Sequence, residues 1–337
     1  MSDETGVTSP QYEELRAKLR EAEIFGSVAA VLSWDRETMM PRRANPLRAE
    51  QAALLGQLVH ERRTSERLGD LLAACEQQVD LISDPLTAAN LREMRRSYDR
   101  AVRLPTSLVR AFAETTTHAQ YAWREARQNS SFASFAPWLE KIVGLTRSRA
   151  ECLAREDTTD LYDPLLDQYE PGVRTTEIEG VFRDLRERLA PLIRGIASAP
   201  RRPGDRVHRI AIPIPKQQAF NAGIARRLGF DFEAGRLDTS THPFCQGVGP
   251  GDTRLTTRYS EEGFPEALSS TLHETGHGLY EQNLPKERYP GEPLSEAVSL
   301  GIHESQSRLW ENLVGRSRPF WEWALPEARA AFGGEVE

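Results

Sequence analysis

Between residue 9 and about residue 200, apolar positions return every three or four residues, the spacing of one α-helical face. In "PQYEELRAKLREAEIFGSVAAVLSW" the stripe is Leu15, Leu19, Ala22 and Phe25. "DPLTAANLREMRRSYDRAVRLP" and "TTEIEGVFRDLRERLAPLIRGIAS" carry the same pattern. Each opens on residues that can accept the first free N–H groups, Ser83-Asp84 and Thr175-Thr176. The pattern predicts an N-terminal helical region over residues 1–200 and a second region over 201–337.

The texture changes near residue 200. "APRRPGDRVHRIAIPIPKQQ" alternates Val207, Ile210, Ile212 and Ile214 between prolines, which predicts a turn and a short strand. "KQQAFNAGIARRLG" predicts a helix closed by Gly229, and "CQGVGPGD" (245–252) a glycine-rich connector. "DTRLTTRYS" (252–260) predicts a strand. Its period of two sets Asp252, Arg254, Thr256 and Arg258 on one face and Thr253, Leu255, Thr257 and Tyr259 on the other. "GFPEALSSTLHETGHGLYEQNLP" predicts a helix with Pro265 in its first turn and a stop near Asn283-Leu284-Pro285. "PLSEAVSLGIHESQSRLWENLVG" (293–315) predicts another. The expected fold is mainly α, with a small β element just before the "HETGH" helix.

Composition narrows the function classes. The 337 residues, 39% hydrophobic and 28% charged, fit a soluble globular protein. A net charge of −7, from 43 basic and 50 acidic residues, supports neither nucleic acid nor an anionic membrane as partner. The arginines of "REMRRSYDR" and "FRDLRERL" interleave with acids, as on solvated helix faces. The longest nearly apolar run, "IFGSVAAVLSW", is too short to span a bilayer. The polar start "MSDETGVTSPQYEELR" lacks a signal-peptide pattern. With three widely spaced cysteines, Cys75, Cys152 and Cys245, this predicts reduced thiols in a cytoplasmic protein.

The chemistry concentrates at 273–277. His273 and His277 stand at i and i+4, so both imidazoles face the same way and can share one metal ion. A metal lowers the pKa of a water bound to it towards ~7. An adjacent carboxylate, here Glu274, can take that water's proton. Gly276 and Gly278 each cost the helix ~1 kcal/mol relative to alanine, which makes sense where something must approach the backbone closely. A third donor is required. The metzincin extension is absent, because Tyr280 and Asn283 stand where glycine and histidine belong. The following segment offers Glu296, Glu304 and Glu311, with His303 a further candidate, and spacing alone does not choose among them.

Four stretches in order, "HPF" (242–244), "DTRLT" (252–256), "HETGH" (273–277) and "HESQ" (303–306), resemble the carboxypeptidase Taq family of zinc metallocarboxypeptidases. Softer matches, "LSWDRETMMP", "LLDQYEPG" and "LGFDFEAGRLD", extend the resemblance over essentially the whole chain. It implies a zincin-like helical protein whose N-terminal helices wall a long groove, with Zn2+ (or Co2+) at its floor, and homodimeric pairing. It implies His273, His277 and Glu304 as metal ligands and Glu274 as general base. Asp252, Arg254 and Thr256 become the substrate-facing strand, since a guanidinium suits a free C-terminal carboxylate. His242 receives no role. Family members also carry a later segment of the type Gly-x-x-Gln-Asp-x-His-Trp, which does not occur here.

The expected function is hydrolysis of C-terminal residues from peptides with a free C-terminus. A peptidyl-dipeptidase or endopeptidase would also accept amidated ends. The alternative of another class is a truncated, catalytically inactive metal-binding remnant, or a partner of an intact paralogue.

Overall fold

The computed structural model describes residues 8–201, 204 and 206–333. Seven helices build the N-terminal part: α1 (Pro10–Thr38), α2 (Asn45–Arg63), α3 (Glu66–Glu76), α4 (Val79–Ser83), α5 (Pro85–Ala101), α6 (Thr106–Gln128) and α7 (Phe132–Leu153). The short α8 (Asp163–Leu166) and the long α9 (Thr175–Ala197) follow. Then come α10 (Ile214–Arg227), the strands β1 (Gly235–Thr239), β2 (Cys245–Gly249) and β3 (Asp252–Thr257), and α11 (Phe264–Asn283). The described chain closes with α12 (Leu300–Arg308), a π-helical turn over Leu309–Val314, and α13 (Arg318–Phe332). The mainly helical fold with a small sheet is as expected. No helix among the described residues is long and apolar enough to cross a membrane.

Local chemistry sets the helix starts. Ser9 Oγ accepts from the Tyr12 N–H and Asp84 Oδ2 from the Thr87 N–H, each ahead of a proline at the first helical position. Thr175 is itself the first residue of α9, and its N–H and hydroxyl both reach Asp163 Oδ1, at 2.7 and 2.6 Å. Gly229, with φ of 108°, closes α10 as expected.

Four expectations need correction. Residues 206–209 form a 3₁₀ turn, and no strand spans 207–214. Ile212 makes one backbone bond to Glu261, and the prolines at 213 and 215 start α10 instead. The glycine-rich 245–252 stretch is not a plain connector: it contains β2, which closes a sheet of order β1-β3-β2. The segment from 293 is helical only from Leu300, where Ser299 caps the helix; residues 293–295 are a 3₁₀ turn. The arginines of α5 are not simply solvated. Arg95 forks onto Glu76 of α3, and Arg96 and Arg100 share Asp167 beside α8.

One apolar core lies among α1, α3, α4 and α5 (Tyr12, Leu15, Leu68, Leu71, Leu72, Leu81, Leu91, Met94). Another lies among α10, α11 and α13 (Phe220, Ile224, Phe264, Leu268, Leu272, Phe320, Phe332). Two contacts join them. Trp34 of α1 lies beneath the guanidinium groups of Arg236 on β1 and Arg254 on β3, at 4.9 and 4.4 Å from its ring centre. Glu292, buried in the connector between α11 and α12, accepts from Tyr12 (2.8 Å), Arg16 (2.7 Å) and Asn90 (2.8 Å). Burial first, and then Glu292, push the Tyr12 hydroxyl well above the usual tyrosine range.

Candidate metal centre

The helix α11 presents His273 and His277 one turn apart, and α12 crosses it at Gly276. A Cβ at position 276 would stand 2.4 Å from the Gln306 carbonyl oxygen and 2.7 Å from Ser307 Cα. A Cβ at Gly278 would meet the Phe230 ring and Leu255 at 2.7 and 2.8 Å. The two glycines that weaken the helix therefore let α12 pack on one side and the sheet's core on the other. The close crossing brings Glu304 to the histidines: its Oε2 lies 3.7 Å from His273 Nε2 and 3.3 Å from His277 Nε2. Tetrahedral donors about 2.0–2.2 Å from a zinc-sized ion stand about 3.3–3.6 Å apart. The separations from Glu304 lie in or just beyond that range.

The other ring nitrogens are already engaged. His273 Nδ1 donates to Glu311 Oε2 at 2.9 Å, since a carboxylate can only accept. His303 Nε2 donates to Glu281 Oε1 at 2.8 Å, and Lys286 donates to the other Glu281 oxygen at 2.5 Å. His303 Nδ1 is then left to accept from His277 Nδ1, 2.5 Å away. Both tautomers are thereby set, and each Nε2 lone pair points to the shared space with Glu304. Burial, then the neighbouring His303 and His273, push His277 down to about 4, so it is neutral at ordinary pH. Burial opposes ionisation of Glu281, yet His303 and Lys286 hold its carboxyl down at about 2.

Glu274 is buried beside this cluster, and its carboxylate lies within a group with His273 and His277 whose donor atoms are within 4.8 Å of one another. Burial, then the charges of Glu304 and Glu311, push its carboxyl up to about 8. A cation among the donors counteracts that rise. Of the three glutamates offered by the downstream segment, Glu304 stands at the histidine pair and Glu311 takes the far nitrogen of His273. Glu296 does neither: it lies in the connector, on the groove side, where Arg63 and Glu23 are the charges nearest in effect.

The polar strand is placed differently from a free clamp. Arg254 spends Nε and Nη2 on Asp252, at 2.8 and 2.7 Å, and stacks on Trp34. Thr256 is fully buried, where its hydroxyl accepts from Phe244 N–H and is bonded to Ser240 Oγ. His242 is exposed at its side chain, and its carbonyl accepts from Ser240. Sequence reasoning missed Glu281 and Glu311 as buttresses. The signal for the first was the i+4 spacing from His277; the second depends on the π-helical turn, which no pattern announces.

A cavity of about 510 Å³ reaches this centre at His303 and is lined by the 296–300 connector on one side and by Arg96, Arg100 and Arg149 on the other; His273, Glu274, His277 and Glu304 do not line it. A second, of about 330 Å³, continues past Glu296 to Glu281, Lys286 and β2. The two cavities lie between the N-terminal helices and the connector that leads into α12.

The chain is similar to several carboxypeptidases. Thermostable carboxypeptidase 1 of Thermus thermophilus is 43% identical over 330 residues, which cover 95% of this chain and 64% of the relative. The structure described as "BsuCP Crystal Structure" superposes with a TM-score of 0.91 at 30% identity, over 96% of this chain and 64% of its own. That of an M32 carboxypeptidase from Deinococcus radiodurans R1 gives 0.86 at 36% identity, over 97% and 65%. The chain spans less than two thirds of the length of these relatives. The family model described as "Carboxypeptidase Taq (M32) metallopeptidase" matches residues 14–337, and the chain belongs to that metallopeptidase family.

Proposed function

We propose that the chain carries the centre of a zinc-dependent metallocarboxypeptidase that removes residues from the free C-terminus of peptides. The observation that carries this reading is the convergence of His273 Nε2, His277 Nε2 and Glu304 Oε2 beside the buried Glu274. The two imidazoles and the Glu304 carboxylate would hold the divalent ion that a metallopeptidase family implies. Zinc suits this donor set, and cobalt is an alternative. When bound, the ion supplies Lewis acidity to a peptide carbonyl and acidifies water.

The chain's own residues supply the proton handling. Glu274 takes a proton from the attacking water at its carboxylate and returns it to the leaving nitrogen. Its burial makes it a stronger base than an exposed glutamate. Arg254 gives the Nε–Nη2 edge of its guanidinium to Asp252 and stacks on Trp34, which keeps β3 in place against α1. The same reading has the protein working in the cytoplasm as a homodimer. The net charge of −7 and the three unpaired cysteines support a role away from nucleic acid, membranes and oxidising compartments.

A second reading follows from the length comparison: a catalytically inactive metal-binding remnant, or partner of an intact paralogue. One experiment separates the two. Metal-loaded protein is given an N-terminally blocked peptide with a free or an amidated C-terminus, with chelator and Glu274→Gln as controls. Stepwise loss from the free end only, abolished by both controls, supports the carboxypeptidase. Folded, fully metallated protein that cleaves neither peptide favours the remnant.

A further inference from the structure

The helix α9 is the odd element of the fold. Its 23 residues include none that is buried. Phe182, Leu185, Leu189, Leu192 and Ile196 are all exposed, at spacings of three and four, so they form one continuous apolar seam. At its base the seam opens into an apolar hollow of about 430 Å³ lined by Tyr162, Leu166, Ile178 and Phe182. Such a seam in water is an interface waiting for cover, since helix propensity alone leaves a lone helix marginal.

The occupant can be argued. The structure described as "BsuCP Crystal Structure" superposes over 96% of this chain, and the remaining 4% is shorter than α9, so that relative carries at least part of this helix. It also has about a third of its length outside the match. The flanks of α9 balance four acids (Glu177, Glu179, Asp184, Glu187) against four arginines (Arg183, Arg186, Arg188, Arg194). Balanced flanks do not attract an anionic membrane, which selects a basic excess, and they leave recognition to apolar fit. A three-four seam fits another helix.

We propose that the apolar face of α9 is the docking surface for a helical polypeptide equivalent to the third of the relatives that lies outside the matched region. The seam fits that polypeptide whether it is joined to this chain or separate from it.

The test co-expresses this chain with the unmatched segment of the Thermus thermophilus relative, both as separate polypeptides and as a fusion. Light scattering on the separate pair is expected to give a one-to-one complex, and amide exchange in α9 is expected to slow about tenfold in both formats. The double variant Leu185→Arg/Leu189→Arg, whose sites lie in no core, is expected to lose the complex and the protection while keeping its helical content and metal binding. Self-association of this chain through α9, lost in the same variant, would overturn the proposal. So would a pair that fails to associate while α9 stays unprotected in the fusion, or a complex indifferent to the arginines.

Discussion

The backbone of Gly276 passes so close to that of Gln306 that a methyl group at position 276 has no room beside the Gln306 carbonyl. That contact sets the spacing between α11 and α12, and therefore the distance from the histidine pair to Glu304. On propensity alone, Gly276→Ala would stabilise α11 by ~1 kcal/mol. The crossing reverses the sign: overpacking is expected to cost about 1–3 kcal/mol and to weaken metal binding by moving Glu304 outward. Denaturant unfolding of the apoprotein and calorimetric metal titration check both. A more stable or tighter-binding alanine variant would contradict the crossing as the determinant.

Metal should stabilise the fold through its donors and not through the base. At a metal concentration a hundred times Kd the gain is about 2.7 kcal/mol, and chelator removes it. His273→Ala and Glu304→Ala are expected to abolish the shift in melting temperature. Glu274→Gln is expected to keep it, since the proposed donors are His273, His277 and Glu304 and Glu274 is the proposed base. A Gln variant that fails to respond to metal would make Glu274 a ligand.

The relay Lys286–Glu281–His303–His277 fixes a tautomer, and relays of this kind typically contribute about 10–100-fold in metal affinity. Glu281→Leu removes the acceptor that selects Nε2–H on His303. A competition assay with a chelating dye should show weaker binding without loss of helical content. Unchanged affinity would mean that the His277 ring is held by packing alone.

The same carboxylate gives a signed pH dependence. Its folded pKa, about 2, lies below the unfolded value of about 4.3. The stability it contributes is present above the unfolded value and is lost as pH falls towards 2. Urea midpoints of the apoprotein and of Glu281→Gln should therefore differ most near neutrality and converge as the pH is lowered through this range. A gap that stays constant would detach Glu281 from acid sensitivity.

Glu292 is a buried carboxylate with three donors, two of them neutral. Glu292→Ala leaves the Tyr12 and Asn90 donors unpaired and the partly exposed Arg16 with Glu13 alone, and the loss of three bonds is expected to cost more than the loss of one. Tyr12→Phe removes one hydrogen bond to a charged group, about 1.5–3 kcal/mol. Equilibrium unfolding of both variants should rank them in that order.

The sequence carried the helices with long, regular apolar stripes and the motif helix with its Pro265 start, because those signals are local. The choice of Glu304 over Glu296 came only with the resemblance, since it depends on how α12 crosses α11, a long-range fact. Strand β2 was invisible for a physical reason: "CQGVG" has little β propensity, and Gly247 is there because the Glu281 carboxylate lies where its Cβ would be. The exposure of α9 was equally hidden, since its periodicity announces a face to be covered and not what covers it. Whether Arg254 takes a carboxylate itself or acts through Asp252 is not legible in the sequence; in the fold its Nε and Nη2 are spent on Asp252, two residues away on the same face.

The three proposed metal donors all fall within one pair of neighbouring helices, between residues 273 and 304, yet the loop joining those helices is tied to the opposite end of the chain. Glu292 meets Tyr12 across 280 positions. The connector is therefore a splice: its ends carry the helices of the crossing at Gly276, and its middle is held by α1 and α5.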